Sequence, residues 1–372
     1  MVTVQGYEKF LCQKCTPGEY FRLVVTNRNY RLYLLSHMCQ HCGDWFVRIA
    51  ALISVQRLAP GSGAALSMIV MCRTIPELLI APLGGILADK FDRKKLMVRL
   101  DILAAISVFS FIYALRSGNV LLLYAATAMR SIISASYLPI TMSIVPMLVS
   151  NPEDLKRAST LNGMVWSGML VSGGVLAGSV SARFGLEVCY YIDILTYFTS
   201  ALIMSRVSGD YLVDSTTIKK DTDQDTSTTA VSNPSLTLRS FLHMNLDLVQ
   251  YIWRCEFGLL ILLKASGCLI FGSADVLNVT LAHVEGDESE TSRLMGRIYS
   301  SVGIGCMIGP VLANSTIVHG DKPRTLQLAI LFGLVFMFAG WLGVARNISS
   351  FTSICAFTTI RSIGSATILL FG

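Results

Sequence analysis

The sequence predicts an all-α membrane protein, a bundle of about ten transmembrane helices arranged as six plus four, and three observations support this. Of the 372 residues, 53% are hydrophobic and 15% are charged, whereas about 25% of the residues of an average soluble domain are charged. Apolar runs of roughly 20 residues, long enough to cross a bilayer, recur about ten times. One polar stretch separates the first six runs from the last four. This pattern excludes a soluble enzyme, a nucleic-acid-binding protein and a disordered scaffold.

The first six spans form a predicted N-terminal bundle over residues 30–205. The segment 1–29 lacks the apolar core of a signal peptide, so it is predicted to be a cytoplasmic N-terminal segment. The first span is the least hydrophobic, and the third and sixth each carry one aspartate. In chain order the six spans are predicted at 32–55, 64–88, 100–115, 120–149, 164–180 and 188–204.

Residues 206–252 are predicted to form a cytoplasmic flexible linker. Aspartates stand there among serines and threonines, with almost no large apolar residue before Leu236. Such a segment cannot bury enough apolar surface to offset the entropy lost on ordering. The remaining chain, residues 253–372, is predicted to be an incomplete C-terminal bundle with spans at 259–279, 294–318, 326–345 and 351–372.

The loops on one side of the predicted bundle carry most of the positive charge. The loops on the other side hold single arginines, and the loop between the seventh and eighth spans is acidic. Because cytoplasmic loops are enriched in Lys and Arg, both termini are predicted to be cytoplasmic. The formal net charge of +6 is therefore assigned to topology, and no nucleic-acid partner is predicted. The most basic loop, between the second and third spans, holds Lys90, Arg93, Lys94, Lys95 and Arg99.

The strongest motif lies in and before that basic loop, where residues 84–95 read GGILADKFDRKK. The stretch resembles the signature of the loop between helices 2 and 3 of the major facilitator superfamily, with Asp92 in place of the family's second glycine. Glycine permits close helix contact, and a carboxylate at the membrane exit can face a helix N-terminus. The positions that the resemblance assigns to a gating loop are Gly85, Asp89, Arg93 and Lys94.

Other stretches resemble the branch of that superfamily that contains the enterobactin exporter and macrolide-efflux proteins. They are residues 29–32 with 43–45, Arg130 with 137–139, and 184–185 with 191–193. The resemblance implies a secondary transporter that exports an amphipathic organic molecule in exchange for protons, by alternating access around a site between two halves. Residues 172–178 resemble the antiporter motif, except that Gly174 stands where that motif has proline.

A complete member of that family has twelve spans in two halves of six. The resemblance therefore implies a chain that lacks the last two helices of the usual twelve. Two functions stay open at this point. One is the transporter just described, acting as a monomer with the lipid bilayer, a small-molecule substrate and protons as partners. The alternative is a non-transporting, truncated paralogue that serves as a membrane binding or assembly partner.

Charged residues inside spans are costly and are candidates for function. Asp44 and Arg48 are four residues apart on the first span, and Arg73 and Glu77 repeat this spacing on the second, so each pair shares a helix face. In one interpretation each pair only neutralises itself. In the other, Asp44 or Glu77 exchanges its arginine for a proton while Arg130, which matches the family's cavity arginine, is the mobile cation.

Lesser candidates and two cysteine motifs complete the sequence evidence. Asp101 is expected to pair with Arg99 or another cation of the loop. Two Cys-x-x-Cys pairs, Cys12/Cys15 and Cys39/Cys42, fit no common zinc-finger spacing, so no metal is predicted. No phosphate-binding loop or catalytic constellation is present, so neither a cofactor nor an enzyme activity is predicted. The other charged residues within predicted spans are Asp193, Lys264, Asp275 and Arg361.

Overall fold

The computed structural model describes residues 17–149, 151–212, 247, 250, 274–284, 286–316 and 323–371. All secondary structure in these ranges is helical, as predicted. Residues 274–282 form a helical segment before the last three helices. The helices are α1 (Pro17–Thr26), α2 (Arg28–Leu58), α3 (Gly63–Lys90), α4 (Arg93–Ser117), α5 (Val120–Ala135), α6 (Tyr137–Leu148), α7 (Pro152–Phe184), α8 (Leu186–Ser205), α9 (Glu288–Thr316), α10 (Pro323–Arg346) and α11 (Phe351–Phe371).

Five segments of the described chain are long and apolar enough to cross a membrane. They are α3, α4, α5 together with α6, α7 and α8. The apolar part of α10 is shorter than these five segments. Helix α2 is long enough, but it contains many polar and charged residues and is not one of the five. The helical membrane fold is therefore supported, whereas the predicted number of about ten spans is not established by the described residues.

Polar side chains at the caps explain where several helices begin. In each case a side-chain oxygen accepts a hydrogen bond from a backbone N–H of the first turn, a group that lacks a partner within the helix. The end of α4 is fixed by Gly118, whose φ of 65° is the left-handed conformation that favours glycine. The N-caps with such a bond are Asn27 for α2, Ser62 for α3, Asp92 for α4, Asn119 for α5 and Asn151 for α7.

The predicted fourth span is broken into α5 and α6 at Ser136, and α3 packs against the break. A Cβ placed on Gly84 would lie 2.7 Å from the Cα of Ser136, so only glycine allows this approach. A Cβ on Gly85 would meet nothing within 4 Å. The close contact expected of a glycine in the 84–95 motif is therefore made by Gly84, and Gly85 faces open space.

The first eight helices form one packed group, and α9, α10 and α11 form another. In the first group α2 packs on α7 and α8, α4 packs on α5 and α8, and α3 packs on α5 and α6. In the second group α11 packs on both α9 and α10. The two groups meet chiefly where α7 runs along α9.

The contact between α7 and α9 is a seam of glycines that brings two backbones together. A Cβ on Gly178 would lie 2.9 Å from the Cα of Gly296, and a Cβ on Gly296 would lie 2.7 Å from the carbonyl oxygen of Gly174. The Ser300 hydroxyl donates a hydrogen bond of 2.6 Å across the seam to the carbonyl oxygen of Val171. Helices in membranes associate through such small residues, because packing takes the place of the hydrophobic effect there.

The first seven residues of the predicted linker pack against the bundle. The Asn29 side chain donates to the carbonyl oxygen of Ser208 at 2.9 Å and accepts from the Ser208 N–H at 3.1 Å. Tyr211 is buried, and its N–H donates to Asp92 Oδ2 at 3.0 Å. The segment 206–212 is thus ordered on the ends of α2 and α4, and apart from residues 247 and 250 the rest of the predicted linker lies outside the described residues.

Candidate functional site

One cavity of about 380 Å³ lies among the helices of the first group. Its walls come mainly from α2, α3 and α5, with Phe111 of α4 and Trp166 of α7. His41 and Trp45 of α2 also line it. The structure brings all five predicted cavity candidates to this one space: Asp44, Arg48, Arg73, Glu77 and Arg130.

Asp44 and Arg130 form an ion pair between α2 and α5. Arg130 Nη2 lies 2.6 Å from Asp44 Oδ1, and the same oxygen accepts a hydrogen bond of 2.7 Å from the hydroxyl of Tyr197 on α8. The Arg130 guanidinium lies 4.5 Å from the centre of the Tyr197 ring, which places it for a cation–π contact. The Arg130 side chain is 8% exposed and that of Asp44 43%, so the pair presents its carboxylate to the cavity.

Asp275 is the second charged centre, and it joins the two groups of helices. Arg48 of α2 forms an ion pair with it, and Arg73 Nη1 of α3 lies 3.8 Å from Asp275 Oδ2. The Tyr299 hydroxyl of α9 donates to Asp275 Oδ1 at 3.0 Å. The Asp275 side chain is 3% exposed, so these donors replace the water that the carboxylate has lost.

The ion pairs differ from the interpretation in which Asp44 neutralises Arg48 and Arg73 neutralises Glu77. Each of these charges except Glu77 has its ion-pair partner on another helix, and Glu77 lines the cavity without an ion pair among the described residues. A spacing of four residues places two side chains on one helix face. The spacing does not determine whether a charged side chain pairs with the other one on its own helix face or with a group on another helix.

Of the lesser candidates, Asp275 belongs to the charged centre described above, whereas Asp101, Asp193 and Arg361 do not line the cavity. Asp101 is buried and accepts 2.8 Å and 2.7 Å hydrogen bonds from Gln40 Nε2 and Ser200 Oγ, so its expected pairing with Arg99 is wrong. The Arg361 guanidinium lies 4.3 Å from the centre of the Trp341 ring. Asp193 is fully buried on α8. Lys264 and the pair Cys12/Cys15 lie outside the described residues.

The predicted gating loop divides into a buried arginine and exposed neighbours. The Arg93 side chain is buried, donates from Nε to Ser143 Oγ at 2.8 Å, and lies 3.8 Å from Asp89 Oδ1. The Asp89 side chain is 79% exposed, and Lys94 is partly exposed. Arg93 thereby ties the start of α4 to α6.

Asp92, and not Asp89, is the carboxylate that faces the N-terminus of α4. Its Oδ1 accepts from the Lys95 N–H at 2.9 Å and its Oδ2 from the Tyr211 N–H. Partial burial opposes ionisation of Asp92, but the backbone hydrogen bonds of Lys95 and Tyr211 together with the nearby lysine charge outweigh it and lower the carboxyl pKa. The residue that departs from the family signature therefore holds the loop to the segment 206–212.

Two histidines extend the charged site along α2. The Nε2 atoms of His37 and His41 lie 3.1 Å apart, and His41 Nδ1 lies 3.8 Å from Asp44 Oδ2. No sequence pattern joined these residues to the cavity. Tyr197 and Tyr299 were also missed, since a tyrosine in an apolar span is typical of ordinary helix packing.

Comparisons with known proteins agree with this architecture. The family model described as Major Facilitator Superfamily matches residues 33–372. Macrolide efflux protein A of Streptococcus pyogenes is 29% identical over 149 residues, which are 40% of this chain and 36% of that protein. The MFS-type transporter YfiS of Bacillus subtilis (strain 168) is 26% identical over 177 residues, 48% of this chain and 42% of that protein. The matched region thus spans less than half of the length of these relatives.

Solved structures show the same fold. A point mutant of the peptide transporter POT, in complex with sulfate, superimposes with a TM-score of 0.61 at 12% identity, covering 93% of this chain and 88% of that one. The nucleoside transporter NupG gives a TM-score of 0.58 at 16% identity, covering 93% and 80%. The two sequence relatives are named as a transporter and an efflux protein, so the alternative of a non-transporting paralogue gains no support from them.

Proposed function

Because the chain belongs to the Major Facilitator Superfamily, we propose that it is a multi-pass membrane transporter that exports small amphipathic organic molecules in exchange for protons. The proposed partners are the lipid bilayer, the substrate and protons, and the proposed unit is the monomer. Alternating access moves the two groups of helices against each other around a central site. In this proposal, the charged side chains that line the cavity change their partners during transport.

The observation that carries the proposal is the ion pair of Asp44 with Arg130. Asp44 faces the cavity, whereas Arg130 is buried and is held by a second helix through Tyr197. While Arg130 remains in place, it neutralises the charge of Asp44. In the proposed cycle, a movement that withdraws Arg130 frees Asp44 to bind a proton.

The position of the glycine seam supports a proposal about which end of the bundle is closed to the substrate. Gly174 and Gly178 lie more than 20 residues after the start of α7, and at 1.5 Å per residue that is roughly 30 Å from the end that carries the basic 2–3 loop. Arg48 and Asp275 join the two groups of helices as well. We place the basic loop in the cytoplasm because of its Lys and Arg content, so the seam closes the outer end of the bundle.

The class of substrate is inferred from the relatives and from the cavity. The named relatives include a macrolide efflux protein, a staphyloferrin A transporter and a putative bacilysin exporter. The aromatic side chains of Trp45, Phe111 and Trp166 line the cavity together with charged ones, and its volume is within the range of about 300–1,000 Å³ typical of small-molecule sites. An organic molecule with an apolar body and one polar or charged group suits such walls.

Transport in proteoliposomes tests the proposal. The full chain is reconstituted, and uptake of radiolabelled erythromycin, a nucleoside and a ferric siderophore is measured with and without an imposed pH gradient. We expect the gradient to drive at least one probe, a protonophore to abolish that drive, and Asp44→Asn to remove it. Asp210→Asn, the same change at an exposed carboxylate outside the cavity, is the matched control. Uptake of a probe at the same rate with and without the pH gradient would contradict proton coupling.

A further inference from the structure

Building on the proposed proton coupling, we propose that Asp193 is a second docking carboxylate for Arg130. The arginine alternates between Asp44 on α2 and Asp193 on α8, and the carboxyl group that it leaves holds a proton. Three observations support this proposal. Asp193 is buried, and its carboxyl group has no hydrogen-bond partner among the described residues. That carboxyl group also contacts the residue before Asp44, and Arg130 has one buried nitrogen, Nε, without a hydrogen bond among those residues.

Asp193 is a buried acid whose carboxyl group has neither a hydrogen bond nor an ion pair within the described residues, although the charge of Arg130 acts on it through space. The residue is fully buried, and neither Oδ1 nor Oδ2 has a hydrogen-bond partner within the described part of the chain. The Thr196 hydroxyl next to it donates to the backbone oxygen of Asp193 and not to the carboxyl group. An ionised carboxylate without a donor or a cation is strongly unfavourable there. In this conformation Asp193 is therefore the neutral acid.

The carboxyl group of Asp193 lies against the residue that precedes Asp44. A Cβ added to Gly43 would collide with Asp193 Oδ1 and Thr196 Oγ1, so only glycine leaves room for the acid at this contact. Tyr197, one turn further along the same face of α8, bonds both Asp44 and Arg130. Both carboxyl groups thus border the same contact between α2 and α8.

Arg130 has donor capacity that its present partners do not use. Its Nη1 donates to Ser134 Oγ at 3.2 Å and its Nη2 to Asp44 and Tyr197. Its Nε is buried without a partner among the described residues. A guanidinium offers five N–H donors in a fixed plane, so Arg130 on α5 has an unused donor and Asp193 on α8 has two unused acceptors.

The other titratable groups near Asp193 leave Arg130 as its cation. They are Cys42 and Asp44 on α2 and Tyr197 on its own helix, all neutral or negative. The exchange conserves charge and protons. The O–H bond of Asp193 breaks as Arg130 arrives, and an O–H bond forms at Asp44 as Arg130 departs. Asp44 Oδ2 can take this proton, because Arg130 and Tyr197 both bind Oδ1 and the nearby His41 Nδ1 lies 3.8 Å from Oδ2.

Infrared difference spectroscopy on the reconstituted full chain tests the exchange without any substrate. Wild type should show the C=O stretch of a protonated carboxylic acid that Asp193→Asn removes. Asp101→Asn assigns any band of Asp101, which like Asp193 is buried without an ion pair among the described residues. Asp44→Asn should also remove the Asp193 band, because Arg130 then pairs with Asp193 and ionises it. Adding Arg130→Gln to Asp44→Asn should restore the band. Persistence of the band in Asp44→Asn, or its absence from wild type, would overturn the proposal.

A double-mutant cycle in thermal unfolding gives a second readout. Asp193→Asn alone should change Tm little, because it replaces one neutral group by another. In the Asp44→Asn background the same change removes the last carboxylate of Arg130, so the double variant should lose more Tm than the sum of the two single variants. Additive losses would contradict the exchange. Both readouts are independent of transport, so a failure of proton coupling in proteoliposomes is distinguishable from a failure of this inference.

Discussion

Arg48 on α2 forms an ion pair with Asp275, a residue 227 positions later that lies beside α9. The bond links α2, in the first group of helices, to the helical segment 274–282. Tyr299 of α9, in the second group, donates a hydrogen bond to the same carboxylate. The Arg48 guanidinium also lies 4.9 Å from the centre of the Trp45 ring. The charged bond and the glycine seam therefore hold the two groups together at neighbouring places, one by charge and the other by backbone contact.

Asp275→Asn should destabilise this arrangement strongly. It leaves Arg48 largely buried without its ion pair, and breaking a buried pair from one side costs about 3 kcal/mol or more. The free energy of unfolding in detergent, measured by denaturant titration, checks this. Arg48→Gln together with Asp275→Asn should recover much of the loss, since no lone charge remains.

The exposed pair of Arg116 with Glu187 is the matched control for that experiment. Its N–O distance is 2.7 Å, but both side chains are exposed. Surface pairs contribute about 0–1 kcal/mol, so Glu187→Gln should have a small effect. Equal losses for the two substitutions would show that Asp275 has no special part in joining the helices.

Gly178→Ala should force α7 and α9 apart. The added methyl would lie 2.9 Å from the Cα of Gly296, and backbone cannot move aside as a flexible side chain can. Overpacking of this kind costs about 1–3 kcal/mol. We expect a lower free energy of unfolding and faster maleimide labelling of the buried Cys306 on α9, measured by peptide mass spectrometry. Gly168→Ala on the same helix, where a Cβ meets nothing within 4 Å, should leave both values unchanged.

Asp92 should make stability depend on pH. Its folded-state carboxyl pKa lies below the ordinary 3.8, so its stabilisation is complete above that value and is lost as the pH falls through the lowered one. Asp92→Ala should remove this contribution together with an N-cap worth about 1 kcal/mol. The Tm difference between wild type and variant, measured from neutral to acidic pH, should shrink only below the ordinary pKa. Asp89→Ala, at the exposed neighbour, should show no such trend.

Sequence reasoning was reliable for the helices and unreliable for the partners of their charged residues. Long apolar runs are a local property, and α3, α4, α7 and α8 contain the predicted spans. The pairing of Arg48 with Asp275 depends on how separate helices pack, which no spacing within one helix encodes. For the same reason the bonds of Asp101 were mispredicted.

Glycine positions show the same limit. The 84–95 motif drew attention to Gly85, yet neighbouring Gly84 makes the close contact, because the helical rotation of one residue decides which glycine faces α6. The stretch 172–178 was recognised through a resemblance to an antiporter motif. Its packing against Gly296 required the position of α9, which the sequence leaves open.

Tyr197→Phe is the sharpest test of the cavity's charged pair, because it removes one oxygen and leaves the ring. The hydroxyl bonds Asp44 Oδ1 at 2.7 Å and lies 2.5 Å from Arg130 Nη2, so its loss loosens both charges while the cation–π contact remains. A hydrogen bond to a charged group contributes about 1.5–3 kcal/mol, which predicts a fall of roughly tenfold or more in pH-gradient-driven transport.

The matched control for this substitution is Tyr190→Phe on the same helix, whose hydroxyl bonds Ser54 at 3.0 Å and not the charged pair. Both variants lose one buried hydroxyl, so both should lower Tm, and Tyr197→Phe should lower it more because its partners are charged. Only Tyr197→Phe should weaken the effect of the gradient. A similar loss of coupling in both variants would mean that helix packing, and not the position of the hydroxyl beside Asp44 and Arg130, limits transport. The comparison thus separates a role in proton coupling from a role in stability.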